Sequence, residues 1–361
     1  MKDFHKSISK ALDAQRSAVA RELYKRQHNL DTELSRRFGQ LSQERALEDF
    51  ESHLAYLSEA IRANQPMLFL DHIAWLKSLL EGMKVPAEDL SAHLDLILSV
   101  LMGYLPEKAK AVPTHFIQLA QRQLPNMPAQ LNPFIDDGDE YEEWNELASN
   151  YLQALLDADR EKALMLIEEA FQRGVTIKDI YLKVFQRTQY EIGRLWQINR
   201  LSVAQEHYCT AATQLIMSQF YPKIFNNPRR TGYRMVATCV GGDLHEMGIR
   251  MVADFFEMEG WDTYYLGANM PIAGIISAIK EWNAHLLALS ATMTFHVSTL
   301  AKVIEAVRSD QDCAKVKILV GGYPFNIAPD LWKEIGADGY AKDANEAIIM
   351  GEKILNCSSY S

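Results

Sequence analysis

The sequence predicts an α+α/β architecture, in which helical blocks come first and a doubly wound parallel sheet follows. Two observations carry this. Apolar residues recur at helical spacing from about residue 5 to residue 124, and again from about Trp144 to Phe225, with no convincing alternation of period two. After Asn226-Asn227-Pro228-Arg229-Arg230 the pattern changes to short β-rich runs separated by amphipathic helices, which is how a βαβ series reads.

In the first block, Phe38-Gly39, Asn64-Gln65-Pro66, Val85-Pro86 and Leu105-Pro106 are the helix breaks, since Gly and Pro end or begin helices. The helix after Pro66 places Leu68, His72, Trp75 and Leu79 on one face, with Phe69, Ile73, Leu76 and Leu80 beside it, and that face is predicted to be buried. Pro125-Asn126-Met127-Pro128, Asn132-Pro133 and the acidic run Asp136-Asp137-Gly138-Asp139-Glu140 have the composition of a linker. The second helical block breaks at Gly174 and around Asn199-Arg200-Leu201-Ser202, leaving three or four helices. Strands are predicted at Tyr233 to Val240, Asp262 to Leu266, Leu286 to Ser290 and Val316 to Val320. The domain boundaries that follow are 1–125 all-α, 126–142 linker, 143–226 helical bundle and 232–361 α/β.

Composition excludes several function classes. A net charge of −10 without a basic block disfavours DNA binding, because phosphate contacts need clustered Lys and Arg. Cys209, Cys239, Cys313 and Cys357 are scattered with no C-x-x-C pair, against a zinc site or disulfide framework and for reduced thiols. No apolar run approaches the roughly 20 residues of a membrane span, and Met1-Lys2-Asp3-Phe4-His5-Lys6 opens a charged segment without a secretory core, so a cytoplasmic location is expected.

Directly after the first predicted strand stands Gly241-Gly242-Asp243-Leu244-His245-Glu246-Met247-Gly248, ahead of an amphipathic helix. His245 therefore sits on a strand-to-helix loop at the ligand-binding edge of a parallel sheet. There it can offer one ring nitrogen to a metal while Asp243 fixes the other. Taken alone, D-x-H-x-x-G fits a surface His in a Gly-rich turn equally well. The segment resembles the signature of the cobalamin-binding domain shared by methionine synthase, B12-dependent mutases, corrinoid methyl-transfer proteins and B12 photoreceptors. The resemblance covers Asp243, His245 and Gly248, then Ser290-Ala291-Thr292 after the third strand and Gly321-Gly322 after the fourth. It implies a Rossmann-like B12-binding domain, His245 as the lower axial ligand of cobalt, and a cleft for the nucleotide tail lined by Ser290, Thr292, Gly321 and Gly322.

Upstream, Trp196 is followed by Glu206-His207 in the spacing W-x9-E-H. A core Trp and a helix-start Glu fit those residues in isolation. Beside a cobalamin domain they resemble the four-helix cap of B12 photoreceptors of the CarH and LitR type, which implies adenosylcobalamin with Trp196, Glu206 and His207 around its upper face. In those photoreceptors the residue after the Trp is a cobalt-capturing His; here it is Gln197, a poor ligand. The N-terminal region departs from their DNA-binding helix-turn-helix and more faintly resembles the globin-like domain of photocobilins. That likeness makes His72, with Phe69, Trp75, Tyr56 and His53, a candidate site for biliverdin or another bilin; haem, or no ligand, fits equally. The expected function is a light-responsive signalling protein, not an enzyme by itself, acting on an unidentified protein partner with no DNA and no membrane and compatible with a homodimer. Two alternatives stay open: a corrinoid carrier for methyl transfer and a light-independent cobalamin sensor.

Overall fold

A computed structural model describes residues 2–27, 29–30, 32–38, 42–128, 132–135, 142–224 and 230–356. The predicted break at Gly39, the acidic run 136–140, the segment Asn226–Arg229 and Cys357 lie outside the described residues. Prolines and left-handed residues punctuate the first helices: α1 (Lys2–Gln27), α2 (Glu33–Phe38), α3 (Gln43–Arg62), α4 (Pro66–Gly82), α5 (Ala87–Tyr104) and α6 (Ala111–Gln123). Asn64 (φ 50°) ends α3 and Lys84 (φ 60°) ends α4, while Pro66 and Pro86 start the helices that follow.

The chain divides into two compact units, the first comprising residues 1–130 with 293–298 and 327–334. Its core gathers Phe50, Leu54, Leu57, Ile61, Leu68, Phe69, Ile73, Leu90, Leu94, Ile97, Phe116 and Ile117. On α4 the buried stripe is Leu68, Phe69, His72, Ile73, Leu76 and Leu80; Trp75 and Leu79 are half-buried, so the apolar face is rotated from the predicted one. Buried Lys77 donates to the carbonyls of Leu124 (3.1 Å) and Met127 (2.7 Å), filling acceptors that the chain exposes where helix ends.

The second unit holds the remaining helices and the sheet. Its helical part contains α7 (Glu142–Leu156), α8 (Arg160–Gln172), a helix from Ile177 to Gln197 and α11 (Val203–Gln219). The third of these comprises α9 (Ile177–Asp179), a six-residue π segment (Ile180–Phe185) and α10 (Gln186–Gln197). Gly174 (φ 94°) and Asn199 (φ 58°) mark the predicted breaks, and a capping box between Ser202 and Gln205 opens α11. Short α12 (Tyr221–Ile224) leads towards the sheet.

β1 (Arg234–Val240), α13 (Met247–Met258), β2 (Asp262–Met270), α14 (Ile272–Glu281), β3 (Leu286–Ser290), α15 (Val297–Ser309), β4 (Lys317–Gly321), α16 (Tyr323–Ile327), α17 (Leu331–Glu334), β5 (Gly339–Tyr340) and α18 (Ala344–Asn356) complete the chain. The strands form one parallel sheet in the order β2-β1-β3-β4-β5. The topological switch point therefore falls between β1 and β3, where open α/β sheets bind ligands. Helical cap and sheet share one apolar core that includes Tyr151, Tyr181, Phe185, Phe255, Phe256, Trp261 and Leu286. Two elements exceed the prediction: β2 runs on to Met270 through a bulge, and β5 is a fifth strand. Among the described residues no helix is long and apolar enough to cross a membrane.

Candidate functional site

The carboxyl ends of β1 and β3 meet at Asp243. This carboxylate is fully buried, and both of its oxygens accept hydrogen bonds. Oδ1 accepts from the His245 backbone N–H (3.0 Å) and lies 2.8 Å from His245 Nδ1, and Oδ2 accepts from the Thr292 backbone N–H at 2.6 Å. Asp243 thus ties the loop after β1 to the loop after β3 across the switch point. His245 is the opposite case, with its side chain 56% exposed. With Nδ1 held by the carboxylate, Nε2 is the nitrogen presented outwards. The hydrogen bond that His245 donates to Asp243 holds the His245 pKa above the ordinary histidine value, against the desolvation that lowers it; the Asp243 and Glu206 charges add to the rise.

The loop is pinned from two further sides. Asn269, left-handed at φ 54°, accepts from Gly242 N through Oδ1 (2.7 Å) and donates its own N–H to the Asp243 carbonyl (3.0 Å). Cys239 donates its thiol to the His245 carbonyl at 3.5 Å. In the sequence Cys239 reads only as a reduced thiol and Asn269 does not stand out, although Gly267-Ala268-Asn269, with two turn-forming residues closing an apolar run, is a signal for a bulge at this edge.

Ser290 is in register with Cys239 on one side and Gly321 on the other, so the predicted strand-end residues are brought together. Gly322 has φ +104°, and a Cβ there would lie 2.1 Å from the Ala291 carbonyl oxygen. Its first reason for being glycine is thus the close approach of the β3 end, whereas Gly248, the second residue of α13, faces open space.

Glu206 and His207 occupy the first turn of α11, with the Glu206 carboxylate paired to His207 Nδ1 and accepting from Thr210 Oγ1 at 3.2 Å. Behind it, Thr210 donates to Gln189, and both Gln189 and Tyr151 donate to Thr213. Gln214, two turns further along α11, donates to Glu246 (3.0 Å), the residue after His245. The cap helix bearing Glu206 is thereby fixed to the histidine loop. Trp196, near the end of α10, is 37% exposed, while Gln197 is buried.

His72 lies elsewhere, in the first unit. Tyr56 stacks on it at 3.8 Å with planes 7° apart, its Nε2 is 3.0 Å from His53 Nδ1, and Trp75 lies nearly parallel at 6.1 Å. The predicted aromatic group is gathered, but it is packed on itself, and a bilin on His72 would have to open the Tyr56 stack. The three described cysteines are unpaired and buried.

A lone exposed imidazole with a buried carboxylate behind it suits a metal that brings its own equatorial nitrogens. Among the described residues there is no cluster of three or more His, Cys, Asp or Glu that could hold a bare ion. A corrin already supplies four nitrogens to its cobalt, so a single protein nitrogen suffices, and these residues fit cobalamin. Fold and site define a cobalamin-binding protein, and comparison with known proteins agrees. Models of the B12 binding domain match residues 233–349 and 147–221. A dimethylamine corrinoid protein of Methanosarcina acetivorans is 34% identical over 216 residues, 58% of this chain and 96% of that protein. One from Methanosarcina mazei is 34% identical over 117 residues, 32% of this chain and about half (53%) of that protein. The solved monomethylamine corrinoid protein of Methanosarcina barkeri shares the fold at 22% identity, with a TM-score of 0.51 over 58% of this chain and 98% of that one. The chain belongs to the B12-binding corrinoid protein family. Helices α1–α6 lie outside both matched regions, and the relatives named are corrinoid proteins, where the cap motif had pointed to photoreceptors.

Proposed function

We propose that this chain is a corrinoid carrier, holding cobalamin over His245 and presenting it to a separate methyl-transfer protein. The observation that carries the reading is the Asp243 bridge, which leaves His245 Nε2 directed outwards at the switch point of the sheet. Bound cobalamin supplies a cobalt centre able to take up and release a methyl group. Asp243 keeps the proton on Nδ1, so that Nε2 offers its lone pair, and the Thr292 N–H offsets the charge on the other carboxylate oxygen. Ser290, Thr292, Gly321 and Gly322, at the strand ends, would receive the nucleotide tail, and Gly248, with open space at its Cβ position, would leave room for the cofactor. Residues 143–226 and 232–361 form the cobalamin module, to which residues 1–125 are appended. The relatives, named as dimethylamine and monomethylamine corrinoid proteins, favour this reading.

A second reading, an adenosylcobalamin photoreceptor, is favoured by one observation: Trp196, Glu206 and His207 occur on one cap, with α11 fixed to the histidine loop. Reconstitution in the dark with methylcobalamin and with adenosylcobalamin, followed by absorption spectra and sizing before and after illumination, separates the two. The carrier binds methylcobalamin at least as well and keeps its size in light. Preference for adenosylcobalamin with a light-driven change of size overturns the carrier in favour of the photoreceptor.

A further inference from the structure

Cobalamin binding by residues 143–361 leaves the first helical unit without a role, yet that unit includes the six residues that directly follow a site residue. Thr292, whose N–H holds Asp243, is succeeded by Met293–Ser298, which belong to the first unit and pack on α3. Tyr56 on α3 donates its hydroxyl to Met293 Sδ at 3.9 Å and meets the Phe295 ring edge-on at 5.3 Å. One turn along, the buried Glu59 carboxyl takes a hydrogen bond from Ser298. On its other side Tyr56 lies flat against His72, which is bonded to His53. Two chains of contacts therefore end on neighbouring residues: His53, His72 and Tyr56 on Met293, and His245 and Asp243 on Thr292.

We infer that Tyr56 is a positioning residue for His245, acting through Met293 and Phe295 on the Thr292 N–H that anchors Asp243, so that the first helical unit sets how firmly the imidazole is held under cobalt. This rests on the cobalamin reading of the site. Burial argues for a discrete effect: Asp243 is completely enclosed, and a shift of Thr292 N would break its 2.6 Å hydrogen bond to Oδ2, which the chain relieves by reorienting Asp243 and His245 together. Packed elements of this kind switch between arrangements instead of deforming smoothly. The sequence hid the link because positions 56 and 293 are far apart and Met293 carries no motif.

The test loads the full chain, its histidines labelled with nitrogen-15, with hydroxocobalamin, reduces it to the cob(II)alamin form, and reads electron paramagnetic resonance for the two-line splitting of a nitrogen-15 ligand, which the cofactor's own base does not give. Tyr56→Ala is expected to shift the ratio of nitrogen-15-ligated to other cobalt by about fivefold or more, the lower end of ordinary coupling between sites. Tyr56→Phe, which keeps both ring contacts and loses only the hydroxyl, restores most of the ratio. Met293→Leu and Phe295→Leu give intermediate shifts and serve if Tyr56→Ala does not fold by circular dichroism. A ratio equal to that of the parent in the folded variants overturns the inference while leaving the carrier intact. A parent protein without nitrogen-15 splitting overturns the His245 assignment, and this inference with it.

Discussion

Two histidine environments in one chain differ in exposure and in the partner of the ring. His245 stands on an exposed loop with a buried carboxylate bound to one nitrogen, and its pKa is raised by that partner. His53, His72 and His93 share the first unit with one another and with aromatic rings. Burial lowers His53 to about 4 and His93 to about 3, and drives His72 well below the usual value. His93 stacks on Phe50 at 5.6 Å and bonds to Gln27 at 2.9 Å, so its ring is spent on packing. Three histidines in proximity pack on one another, whereas His245, with one nitrogen held by Asp243 and an exposed ring, is the one the proposed cobalt site uses. The residue type is the same; the partner and the exposure decide.

The largest effect is expected at Asp243. Asp243→Ala removes the acceptor of two backbone N–H groups and of the His245 ring, and should cost about 4 kcal/mol in urea denaturation, since hydrogen bonds to a charged group are worth about 1.5–3 kcal/mol each and add imperfectly. A loss below about 1 kcal/mol would mean that the site lacks the rigid anchor that sets it apart from the His72 cluster. Next is Gly322→Ala, where a methyl would meet the Ala291 carbonyl at 2.1 Å in a left-handed backbone. About 3 kcal/mol of destabilisation is expected from the combined clash and strain, measured in the same way.

The smaller effect sharpens the other side of the comparison. The folded pKa of His93 lies below the ordinary 6.5, so the unfolded chain binds more protons between those values and stability falls as the pH drops through them. Between pH 7 and pH 5 this completely buried group should cost about 2 kcal/mol. A His93→Gln variant should lose correspondingly less over the same interval, as read by urea denaturation at both values; an equal loss would place the acid sensitivity outside the cluster.

Much of this was legible in the sequence for local reasons. Pro66 and Pro86 fix helix starts whatever surrounds them, and β3 occupies the predicted Leu286 to Ser290 because a strand buried on both faces is a continuous apolar run. Asp243 and His245 were readable because their partnership spans two residues. What depends on distant partners was not. Asn269 contributes through a left-handed conformation in a β-bulge, and β5 is too short to show a period. The rotation of the α4 face arises from its neighbours, which periodicity within α4 cannot report.

The central claim, that His245 is the cobalt ligand and the buried histidines are not, is tested most directly by electron paramagnetic resonance of the cob(II)alamin-loaded His245→Ala protein beside the parent. His245→Ala removes one hydrogen bond to the buried Asp243 carboxylate and should cost about 1.5–3 kcal/mol, so circular dichroism establishes first that the variant is folded. With the protein's histidines labelled with nitrogen-15, the account predicts two-line axial splitting in the parent and its loss in the variant, with His72→Phe retaining it. Nitrogen-15 splitting that survives in His245→Ala would contradict the account.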